Sequence, residues 1–307
     1  MTSDFHVAFS VNAGGLPGFG ATVASLINHC SRPENLRIHI LASRLSNEHV
    51  ANIEALFQEL RFSGGYRFLP FDAEDRFQDL PSLHGDYATY GRLLIPELID
   101  APRVLYLDSD LVITCDVLAL ADLDLGGHVI AACSGTTIAH TLDRKYFFDR
   151  GFTKEMRYFN CGVILIDLDE WKRRDWTTAW QAIVLDRPES LTTHDQTIMN
   201  RLCAGDFHIL PRMYNVAYLA HYAAPPYSEA IFHFIGSPKP WDVLGRYVHA
   251  GSHVWRANSP KSWEQKYQRL GRHRLGRAWS IRRSVGRSLK LRYLESTSNP
   301  RRVKVLG

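Results

Sequence analysis

The stretch RVLYLDSDLVITCD, residues Arg103–Asp116, is the part of the sequence that decides the fold. Its apolar run, 104–107, is bounded by Pro102 and by charged residues, a pattern typical of a strand buried on both faces of a parallel sheet. The run ends abruptly at Asp108, and Asp110 follows two residues later. In open α/β sheets, ligands bind beyond the carboxyl ends of the strands. We therefore expect both carboxylates to lie at such an end.

Two carboxylates on alternate residues can reach one cation. Hard divalent cations such as Mn²⁺ or Mg²⁺ prefer oxygen ligands and often share them with the phosphates of a substrate. The central hypothesis from the sequence is that Asp108 and Asp110 hold a divalent ion, which in turn holds a diphosphate. The alternative is an ordinary turn, in which short acidic side chains bond nearby backbone amides. Taken alone, the pattern does not separate these two interpretations.

The chain has 307 residues, enough for one large α/β domain or two smaller ones, and its charge is unevenly placed. Residues 261–307 carry 14 Lys/Arg and 2 Asp/Glu, a net charge of +12, whereas the whole chain carries +4. Residues 1–260 are therefore mildly acidic, at −8. A basic segment of this kind seeks anionic partners, such as nucleic acid or anionic lipid.

The five cysteines are scattered, odd in number and without a C-x-x-C pair, which argues against both a disulfide framework and a zinc site. We expect reduced thiols in a cytosolic protein. The N-terminal residues lack the basic region and the apolar run of a signal peptide. No apolar stretch approaches the roughly 20 residues that a membrane-spanning helix needs. These features predict a cytoplasmic location.

Strands and helices alternate in the N-terminal part of the sequence. Predicted strands cover Phe5–Ser10, Leu36–Leu41 and Tyr66–Phe71, and predicted helices cover Ala21–Cys30 and the segment after Ser46, its predicted cap. This order predicts a parallel sheet with right-handed crossovers.

A glycine-rich segment, Asn12–Gly20, separates the first predicted strand from the first helix. It reads NAGGLPGFG and lacks both the Lys-Ser/Thr of a phosphate loop and the spacing of G-x-G-x-x-G. ATPase and dinucleotide-binding functions are therefore rejected. We expect this segment to be a loop that lets a nucleoside lie close to the backbone.

Polar residues recur beside the later apolar segments. Arg92 precedes the acidic motif, where its guanidinium would contact a nucleotide or neutralise the two carboxylates. Asn160 lies just before a predicted buried strand at 163–166. Its amide would either bind sugar hydroxyls or form part of a turn. Asp195 and Gln196 lie in the first turn of a helix that we expect Thr193 or a neighbour to cap, and the alternative role for Asp195 is plain capping.

The segment Ile231–Trp241, IFHFIGSPKPW, combines His233, Gly236 and Lys239. A neutral imidazole can complete a metal shell begun by two carboxylates. A lysine amine shortly after a glycine can offset the charge of a diphosphate. A histidine beside apolar residues is more often a core residue, but its combination with the glycine and the lysine is harder to explain by packing.

With these residues assembled, the chain resembles glycosyltransferase family 8, which includes bacterial lipopolysaccharide galactosyl- and glucosyltransferases and glycogenin. The matching stretches occur in the order of the family: TYGRLLIPELI, RVLYLDSDLVI, YFNCGVILIDLDEW, HDQTIMN and HFIGSPKPW. The resemblance implies a GT-A fold, a mostly parallel twisted α/β sheet flanked by helices. It also implies a retaining transferase that moves glucose or galactose from a UDP-sugar, with Mn²⁺ or Mg²⁺ as the cofactor. The acceptor would be a saccharide or a lipid-linked saccharide, in cell-surface polysaccharide or lipopolysaccharide synthesis.

The resemblance also implies roles for individual residues. Asp108, Asp110 and His233 would hold the metal ion, and Gly236 and Lys239 would contact the diphosphate. The residues around the donor sugar and its phosphates would be Arg92, Ser109, Asn160, Asp195 and Gln196. The last of these matches the residue closest to the anomeric carbon, so the candidate catalytic residues are Gln196 and Asp195.

Two stretches depart from the family pattern. Family members often carry an acidic, Asn-Tyr-containing stretch after the first strand, where this chain reads SVNAG. Ser10 and Asn12 are the candidate nucleotide contacts, but the stacking tyrosine is missing. An acidic sugar contact of galactosyltransferase relatives is replaced by Ser134-Gly135. The sequence therefore leaves open both strict uracil specificity and the choice between glucose and galactose.

The C-terminal segment predicts a basic amphipathic helix. Between Leu275 and Leu294, most apolar residues fall on one arc and most basic residues opposite, with Arg282 intruding. We expect this helix to lie in the anionic surface of a membrane, at its inner face. The alternative is a charged helix that is solvated or packed on the body. The predicted domains are a catalytic domain at 1–255 and a membrane-associating tail at 256–307.

Two other functions fit parts of the pattern. A phosphohydrolase of the haloacid dehalogenase type also ends a strand in Asp-x-Asp and phosphorylates the first aspartate, which here is Asp108. However, Val112 stands where a threonine or similar residue is usual, and no paired Asp-Asp motif follows. A basic-tailed nucleic-acid binder would show salt-dependent affinity for DNA or RNA. No aromatic-basic platform supports that function, and we expect no nucleic-acid partner.

Overall fold

The computed structural model describes residues 4–83, 85–222, 224–269 and 271–298. The contacts of the chain divide it into two compact units. Unit 1 comprises the described residues of Met1–Gly15, Cys30–Ser109 and Asp116–Asn215. Unit 2 comprises the described residues of Leu16–His29, Asp110–Cys115 and Val216–Gly307. The predicted catalytic domain at 1–255 and the predicted membrane-associating tail at 256–307 both stay predictions.

The strands are β1 (Phe5–Val11), β2 (Leu36–Ser43), β3 (Gly65–Phe71), β4 (Arg103–Leu107), β5 (Leu111–Ile113), β6 (Ile130–Thr137), β7 (Arg157–Asp167), β8 (His208–Ile209), β9 (Val216–Ala217) and β10 (Ile231–His233). The α-helices are α1 (Leu16–His29), α2 (Asn47–Glu59), α3 (Ala73–Phe77), α4 (Ile95–Leu98), α5 (Arg144–Phe148), α6 (Leu168–Arg173), α7 (Trp176–Leu185), α8 (Asp195–Cys203), α9 (Gly245–Val248), α10 (Ser252–Asn258), α11 (Lys261–Tyr267), α12 (Arg272–Ser280) and α13 (Arg282–Ser298).

Unit 1 is organised around a seven-stranded sheet with the order β3-β2-β1-β4-β7-β6-β8. Strands β1 to β4 are parallel to their neighbours, except where β4 meets β7, and β6 is parallel to β8. Strand β7 is antiparallel to both β4 and β6. Every side chain from Val104 to Leu107 on β4 is buried. The predicted mostly parallel sheet, with a buried strand that ends just before Asp108, is therefore confirmed.

The beginning of α2 follows the sequence signal. The hydroxyl of Ser46 accepts a hydrogen bond from the His49 N–H, while the Ser46 N–H donates to the His49 ring. This reciprocal pair is a capping box, which satisfies donors that the first turn of a helix leaves free. The buried face of the helix consists of Ile53, Leu56 and Phe57, as the helical spacing predicts.

The prediction of a loop over Asn12–Gly20 was wrong in its second half. Helix α1 begins at Leu16 and has Pro17 in its first turn, where a missing N–H costs nothing. Within unit 2, Gly20 lies against the ring of Trp263, and a Cβ at this position would collide with it. The glycines of this half thus allow close packing of a helix. Only the first half, up to Gly15, is a loop of the kind that was expected to lie beside a nucleoside.

Between β3 and β4, a 3-10 helix at Ala88–Leu94 leads into the short α4. Pro96 lies in the first turn of α4 and does not kink a longer helix, because φ of proline suits that position. The turn alternative for Asn160 fails because β7 runs through it without interruption.

Unit 2 contains a three-stranded sheet with the order β5-β10-β9. Strand β10 is antiparallel to β5 and parallel to β9. Helix α1 is attached to β5, because the Thr22 hydroxyl donates to the Leu111 carbonyl at 2.8 Å and the Ser25 hydroxyl accepts from the Ile113 N–H at 2.9 Å. This sheet sets Asp110, just before β5, beside the end of β10.

The C-terminal segment forms two helices, α12 and α13, where the sequence predicts one. Ile281, between them, and Val285 are buried with Val248 of α9 in a small apolar cluster. The prediction that these two apolar residues face a membrane was therefore wrong, since α9 supplies them with a packing partner within unit 2. Among the described residues, none of the helices combines the length and the hydrophobicity needed to cross a bilayer.

Candidate active site

In unit 1, the end of β4 places Asp108 beside a buried arginine. Nη2 of Arg92 donates to Oδ1 of Asp108 at 3.0 Å, and Nε of Arg92 lies 2.9 Å from Oδ2 of Asp195. The guanidinium carbon lies 4.3 Å from the centroid of the Tyr106 ring. Of the two roles that the sequence left open for Arg92, neutralisation of Asp108 is seen in the structure. The same cation also neutralises Asp195, which lies far away in sequence.

Asp108 and Asp195 each accept a hydrogen bond from a hydroxyl in addition to their contact with Arg92. Burial raises the pKa of Asp195, and the charge of Arg92 partly opposes this shift. The Thr89 hydroxyl donates to Oδ1 of Asp195. The Tyr106 hydroxyl donates to Oδ1 of Asp108 at 2.9 Å, and burial raises the pKa of this tyrosine well above its ordinary value. Both carboxylates are thus held in fixed positions by neutral donors as well as by the arginine.

These groups line a cavity of about 280 Å³ in unit 1. The polar side chains of its wall include those of Thr89, Arg92, Asp108, Asn160, Asp195 and Gln196. Carboxylates, amides and a hydroxyl are the groups that bind sugar hydroxyls, and a guanidinium binds phosphate. The structure therefore brings five of the predicted site residues of unit 1 together around one cavity, and adds Thr89.

Asn160 on β7 and Gln196 on α8 fix each other's side chains. Nδ2 of Asn160 donates to Oε1 of Gln196 at 3.0 Å, and the same oxygen accepts from the Cys161 N–H at 3.2 Å. Oδ1 of Asn160 accepts from the Gly162 N–H at 3.0 Å. The two amides therefore present defined donors and acceptors to the cavity.

The turn that precedes α8 is strained. His194 has φ 60° and ψ −126°, a conformation that costs a residue other than glycine about 1–3 kcal/mol. The Gln196 N–H donates to the Thr193 carbonyl at 3.1 Å and closes this turn. His194 occupies the cap position of α8 without a side-chain capping bond. The predicted cap, Thr193 or a neighbour, is His194 by position, but neither Thr193 nor Asp195 caps the helix with its side chain, because both side chains bond elsewhere.

In unit 2, Asp110 is the centre of a second polar cluster. Nε2 of His233 lies 3.2 Å from Oδ1 of Asp110, and Nζ of Lys239 donates to Oδ2 at 2.6 Å. Oδ1 is buried and accepts no well-aligned hydrogen bond from the described part of the chain. Burial alone would raise the pKa of Asp110, but Lys239 and His233 together hold it well below its ordinary value. Asp110 is therefore an ionised carboxylate with one oxygen that lacks an aligned donor.

The loop after β10 carries Gly236 and Lys239. Gly236 has φ +73°, which favours glycine, and no atom of the described residues lies within 4 Å of where its Cβ would stand. The Lys239 N–H donates to Oδ2 of Asp242 at 2.7 Å, and the same carboxylate accepts from Nε and Nη2 of Arg277 on α12. A residue of the C-terminal segment thus supports the aspartate that orders this loop.

The Asp110–His233 pair fits a divalent cation. The Oδ1 of Asp110 and the Nε2 of His233 lie 3.2 Å apart, and a carboxylate oxygen and an imidazole nitrogen are both ligand types that Mn²⁺ accepts. Asp108 precedes Asp110 by two residues, so a second carboxylate is available from the same short stretch.

The candidate nucleotide contacts are engaged with the protein itself in unit 1. The Ser10 hydroxyl donates to a backbone carbonyl of the 3-10 helix, at 2.6 Å. Nδ2 of Asn12 donates to the Asp86 carboxylate, and its Oδ1 accepts from the Gly15 N–H at 2.9 Å. A Cβ at Gly15 would lie only 2.8 Å from Oγ of Ser109, so this glycine gives the serine room. Roles in binding the base, the ribose and the phosphates stay predictions.

Sequence reasoning missed Thr89, whose hydroxyl donates to Asp195, and Tyr158, whose hydroxyl oxygen lies 3.1 Å from Nε2 of Gln196. Both lie inside stretches that resemble the family, and a hydroxyl close in sequence to a predicted site residue was the available signal. It also missed Asp143, which accepts from the Tyr158 hydroxyl and lies in a polar stretch without periodicity. The cysteines follow the prediction, because all five are free and buried.

The family whose model matches this chain is described as glycosyl transferase family 8, over residues 6–245. The lipopolysaccharide 1,2-glucosyltransferase of Escherichia coli (strain K12) is 28% identical over 279 residues, which cover 83% of this chain and 80% of that protein. The lipopolysaccharide 1,3-galactosyltransferase of Salmonella typhimurium (strain LT2) is 27% identical over 275 residues, which cover 84% and 79%.

A solved structure shows the same fold. The galactosyltransferase LgtC, crystallised with donor and acceptor sugar analogs, is 25% identical and superposes with a TM-score of 0.71, covering 85% of this chain and all of that chain. The predicted GT-A fold and the predicted glycosyl transfer are thereby confirmed. The phosphohydrolase and the nucleic-acid binder receive no support. With a match that covers most of its length, the chain belongs to glycosyl transferase family 8.

Proposed function

We propose that this glycosyltransferase moves a hexose, glucose or galactose, from a UDP-sugar to a saccharide or lipid-linked acceptor with retention of anomeric configuration. The reaction would depend on Mn²⁺ or Mg²⁺ held by Asp108, Asp110 and His233. The observation that carries the proposal is the buried Oδ1 of Asp110, which lies 3.2 Å from Nε2 of His233 and accepts no aligned hydrogen bond among the described residues. A carboxylate oxygen and an imidazole nitrogen can both serve as ligands of one divalent cation.

Positive charge at the diphosphate is the main requirement of the reaction, because breaking the sugar–phosphate bond leaves charge on UDP. A bound Mn²⁺ would supply part of that charge. Lys239 supplies a further cation, and its amine is already held in the same cluster, on Oδ2 of Asp110. Gly236 allows the loop a backbone conformation that favours glycine and leaves open space beside it.

The donor sugar would occupy the cavity of unit 1. Asn160, Asp195 and Gln196 would hold its hydroxyls while it becomes oxocarbenium-like. Arg92 keeps Asp195 in place and would lie near the phosphates. The acceptor hydroxyl would attack from the face that the phosphate leaves, and a phosphate oxygen would take its proton. On this mechanism no dedicated protein base is needed.

A panel of UDP-sugars tests the proposal directly. Release of UDP is followed with Mn²⁺, with Mg²⁺ and with EDTA, in the presence and absence of lipid-linked saccharides. We expect release from UDP-glucose or UDP-galactose that requires the cation and rises with the acceptor.

The Asp110→Asn variant should lose at least about a hundredfold in rate, because removal of a charged group at the reacting centre costs this much. Asp122→Asn, at an exposed position, is the matched control. Cation-independent release, or equal rates in both variants, would overturn the proposal.

We further propose that the exposed side of α12 and α13 binds the anionic inner surface of the membrane. Large apolar side chains lie exposed there, among them Trp279 at 69% and Tyr293 at 68%. The guanidinium carbon of Arg282 stands 4.2 Å from the centroid of the Trp279 ring, and the exposed Arg283 and Arg287 add charge. An aromatic and basic surface of this kind suits the headgroup region of anionic lipids.

Sedimentation with vesicles tests this surface in the full chain. We expect binding to vesicles that contain phosphatidylglycerol, and weak binding to vesicles of phosphatidylcholine alone. The double variant Trp279→Ser/Tyr293→Ser should lose most of the binding. Leu185→Ser, which removes another exposed apolar side chain, in unit 1, is the control. Equal binding of the double variant and the wild type would contradict the role of this surface.

A further inference from the structure

Asp143 is a buried carboxylate whose bonds all come from uncharged donors. Its side chain has no exposed surface, and among the residues that the structure describes no cation forms an ion pair with it. Oδ2 accepts from the hydroxyls of Tyr158 and Thr193. Oδ1 accepts from the Thr193 N–H at 3.1 Å and from the Thr197 hydroxyl at 3.0 Å. Burial of a charge is costly unless hydrogen bonds satisfy it, and these four bonds both satisfy the carboxylate and fix its orientation.

The hydroxyl of Tyr158 has one proton, and that proton is committed to Asp143. Burial raises the pKa of Tyr158 well above its ordinary value, and the charge of Asp143 raises it further, so the hydroxyl stays protonated. The Thr193 hydroxyl lies 2.9 Å from the Tyr158 oxygen, but its own proton is also directed at Asp143. Toward Gln196, whose Nε2 lies 3.1 Å from its oxygen, Tyr158 can therefore only accept.

The bond between Nε2 of Gln196 and the Tyr158 oxygen fixes the orientation of the Gln196 amide. The NH₂ group must face Tyr158, because only a donor satisfies an oxygen whose proton is already used. The carbonyl oxygen then faces the opposite side, where it accepts from Nδ2 of Asn160 at 3.0 Å and from the Cys161 N–H at 3.2 Å. Reversal of the amide would set donor against donor at Asn160. Asp143 therefore reaches the Gln196 amide through the Tyr158 hydroxyl.

We propose that Asp143 is a positioning residue that acts through Tyr158 to hold the Gln196 amide in a single orientation in the cavity. The inference rests on the proposed function, in which Gln196 lies next to the donor sugar. Asp143 itself does not line the cavity among the residues that the structure assigns to its wall. Its effect on transfer is expected in kcat, because an amide that can flip spends part of its time in the wrong orientation.

The test compares Tyr158→Phe and Asp143→Asn with the wild type. Tyr158→Phe removes only the hydroxyl, and Asp143→Asn reverses the direction of its bond by offering an N–H. For both we expect kcat for UDP release to fall about tenfold, with KM for the UDP-sugar changed by less than about threefold. Tyr146→Phe is the matched control, because Tyr146 is buried in the same core and lines no part of this cavity.

A double-mutant cycle separates positioning from a general structural effect. If Tyr158 acts through Gln196, then adding Tyr158→Phe to Gln196→Ala should lower kcat no further. Multiplication of the two losses, or a melting temperature that falls in step with kcat across the variants, would overturn the inference. Should Asp143→Asn not fold, the cycle on Tyr158 still decides.

The outcomes also separate this inference from the proposed function. A wild type that releases UDP, together with variants that release it equally fast, would overturn the positioning role alone. A wild type that releases UDP from no UDP-sugar would overturn the proposed function, and the role of Asp143 with it.

Discussion

Nζ of Lys239 lies 2.6 Å from Oδ2 of Asp110 and also donates to the carbonyl oxygen of Phe234. The lysine proposed to bind the diphosphate thus occupies one oxygen of a proposed metal ligand. Both groups are largely buried, at 17% and 21% side-chain exposure, so the attraction between them is not lost to solvent. In the absence of nucleotide, the lysine and a cation would compete for Asp110.

The Lys239→Met variant should therefore have opposite effects on two affinities. Without nucleotide, Mn²⁺ should bind about tenfold more tightly, since a competing charge is removed. With Mn²⁺ at saturation, UDP should bind about tenfold more weakly, since a cation for the diphosphate is lost. Isothermal titration calorimetry measures both, with Lys172→Met at an exposed position as the control. Changes of the same sign in the two affinities would argue against this arrangement.

Removal of the Arg92 guanidinium should strongly destabilise the protein. Arg92→Met leaves Asp108 and Asp195 without their shared cation, and a buried carboxylate without its partner costs about 3 kcal/mol or more. Urea unfolding at pH 7 measures the loss of free energy of unfolding. Arg76→Met breaks an exposed ion pair with Glu97 and should cost under about 1 kcal/mol. Equal losses in both variants would show that Arg92 has no special role in this unit.

Arg277 lies beyond the part of the chain that matches the family, yet it should affect nucleotide binding. It donates to Asp242, whose carboxylate is 3% exposed and also accepts from the Lys239 N–H. Arg277→Ala should lower the affinity for UDP about threefold to tenfold, because the loop of Lys239 loses its support. Arg283→Ala, an exposed arginine of α13, is the control. An unchanged affinity would restrict this C-terminal segment to packing or membrane binding.

The features that the sequence predicted well are those with a local cause. Strand β4 and its terminal Asp108 follow from one apolar run, and the start of α2 follows from Ser46 and its neighbours. The motifs around Asn160 and Gln196 were also recognisable, and the structure brings both amides to one cavity.

The features that the sequence did not predict depend on partners far away in the chain. Helix α1 can pack against Trp263 because Gly20 has no Cβ, and Ile281 is buried because Val248 packs against it. Asp143 has no local signal at all, since its partners Tyr158 and Thr193 are 15 and 50 residues away. Packing of this kind cannot be inferred from hydrophobic spacing within one segment.

Acid should destabilise the protein through His39. Burial and the nearby Arg67 lower the pKa of His39 from 6.5 to about 3, and Nε of Arg67 donates to its Nδ1 at 2.7 Å. The unfolded chain takes up a proton below pH 6.5 that the folded protein refuses until about pH 3. The stability contributed by the neutral ring is therefore present above pH 6.5 and is lost as the pH falls through this window. Between pH 7 and pH 5 the loss is about 2 kcal/mol.

The variant His39→Gln isolates this contribution. Glutamine keeps an acceptor for Arg67 but does not titrate, so its free energy of unfolding should fall less steeply between pH 7 and pH 5. His253→Gln, at an exposed position, should keep the slope of the wild type. The prediction fails if His39→Gln and the wild type lose stability in parallel over this range.

The proposed metal site of Asp108, Asp110 and His233 is tested most directly by crystals grown with UDP and Mn²⁺. Diffraction is recorded on both sides of the manganese absorption edge. We predict one strong anomalous peak within bonding distance of carboxylate oxygens of Asp108 and Asp110, of Nε2 of His233 and of the diphosphate of UDP. A peak that touches only one of these three residues, or UDP bound without any peak among them, would contradict the proposed metal-dependent transfer.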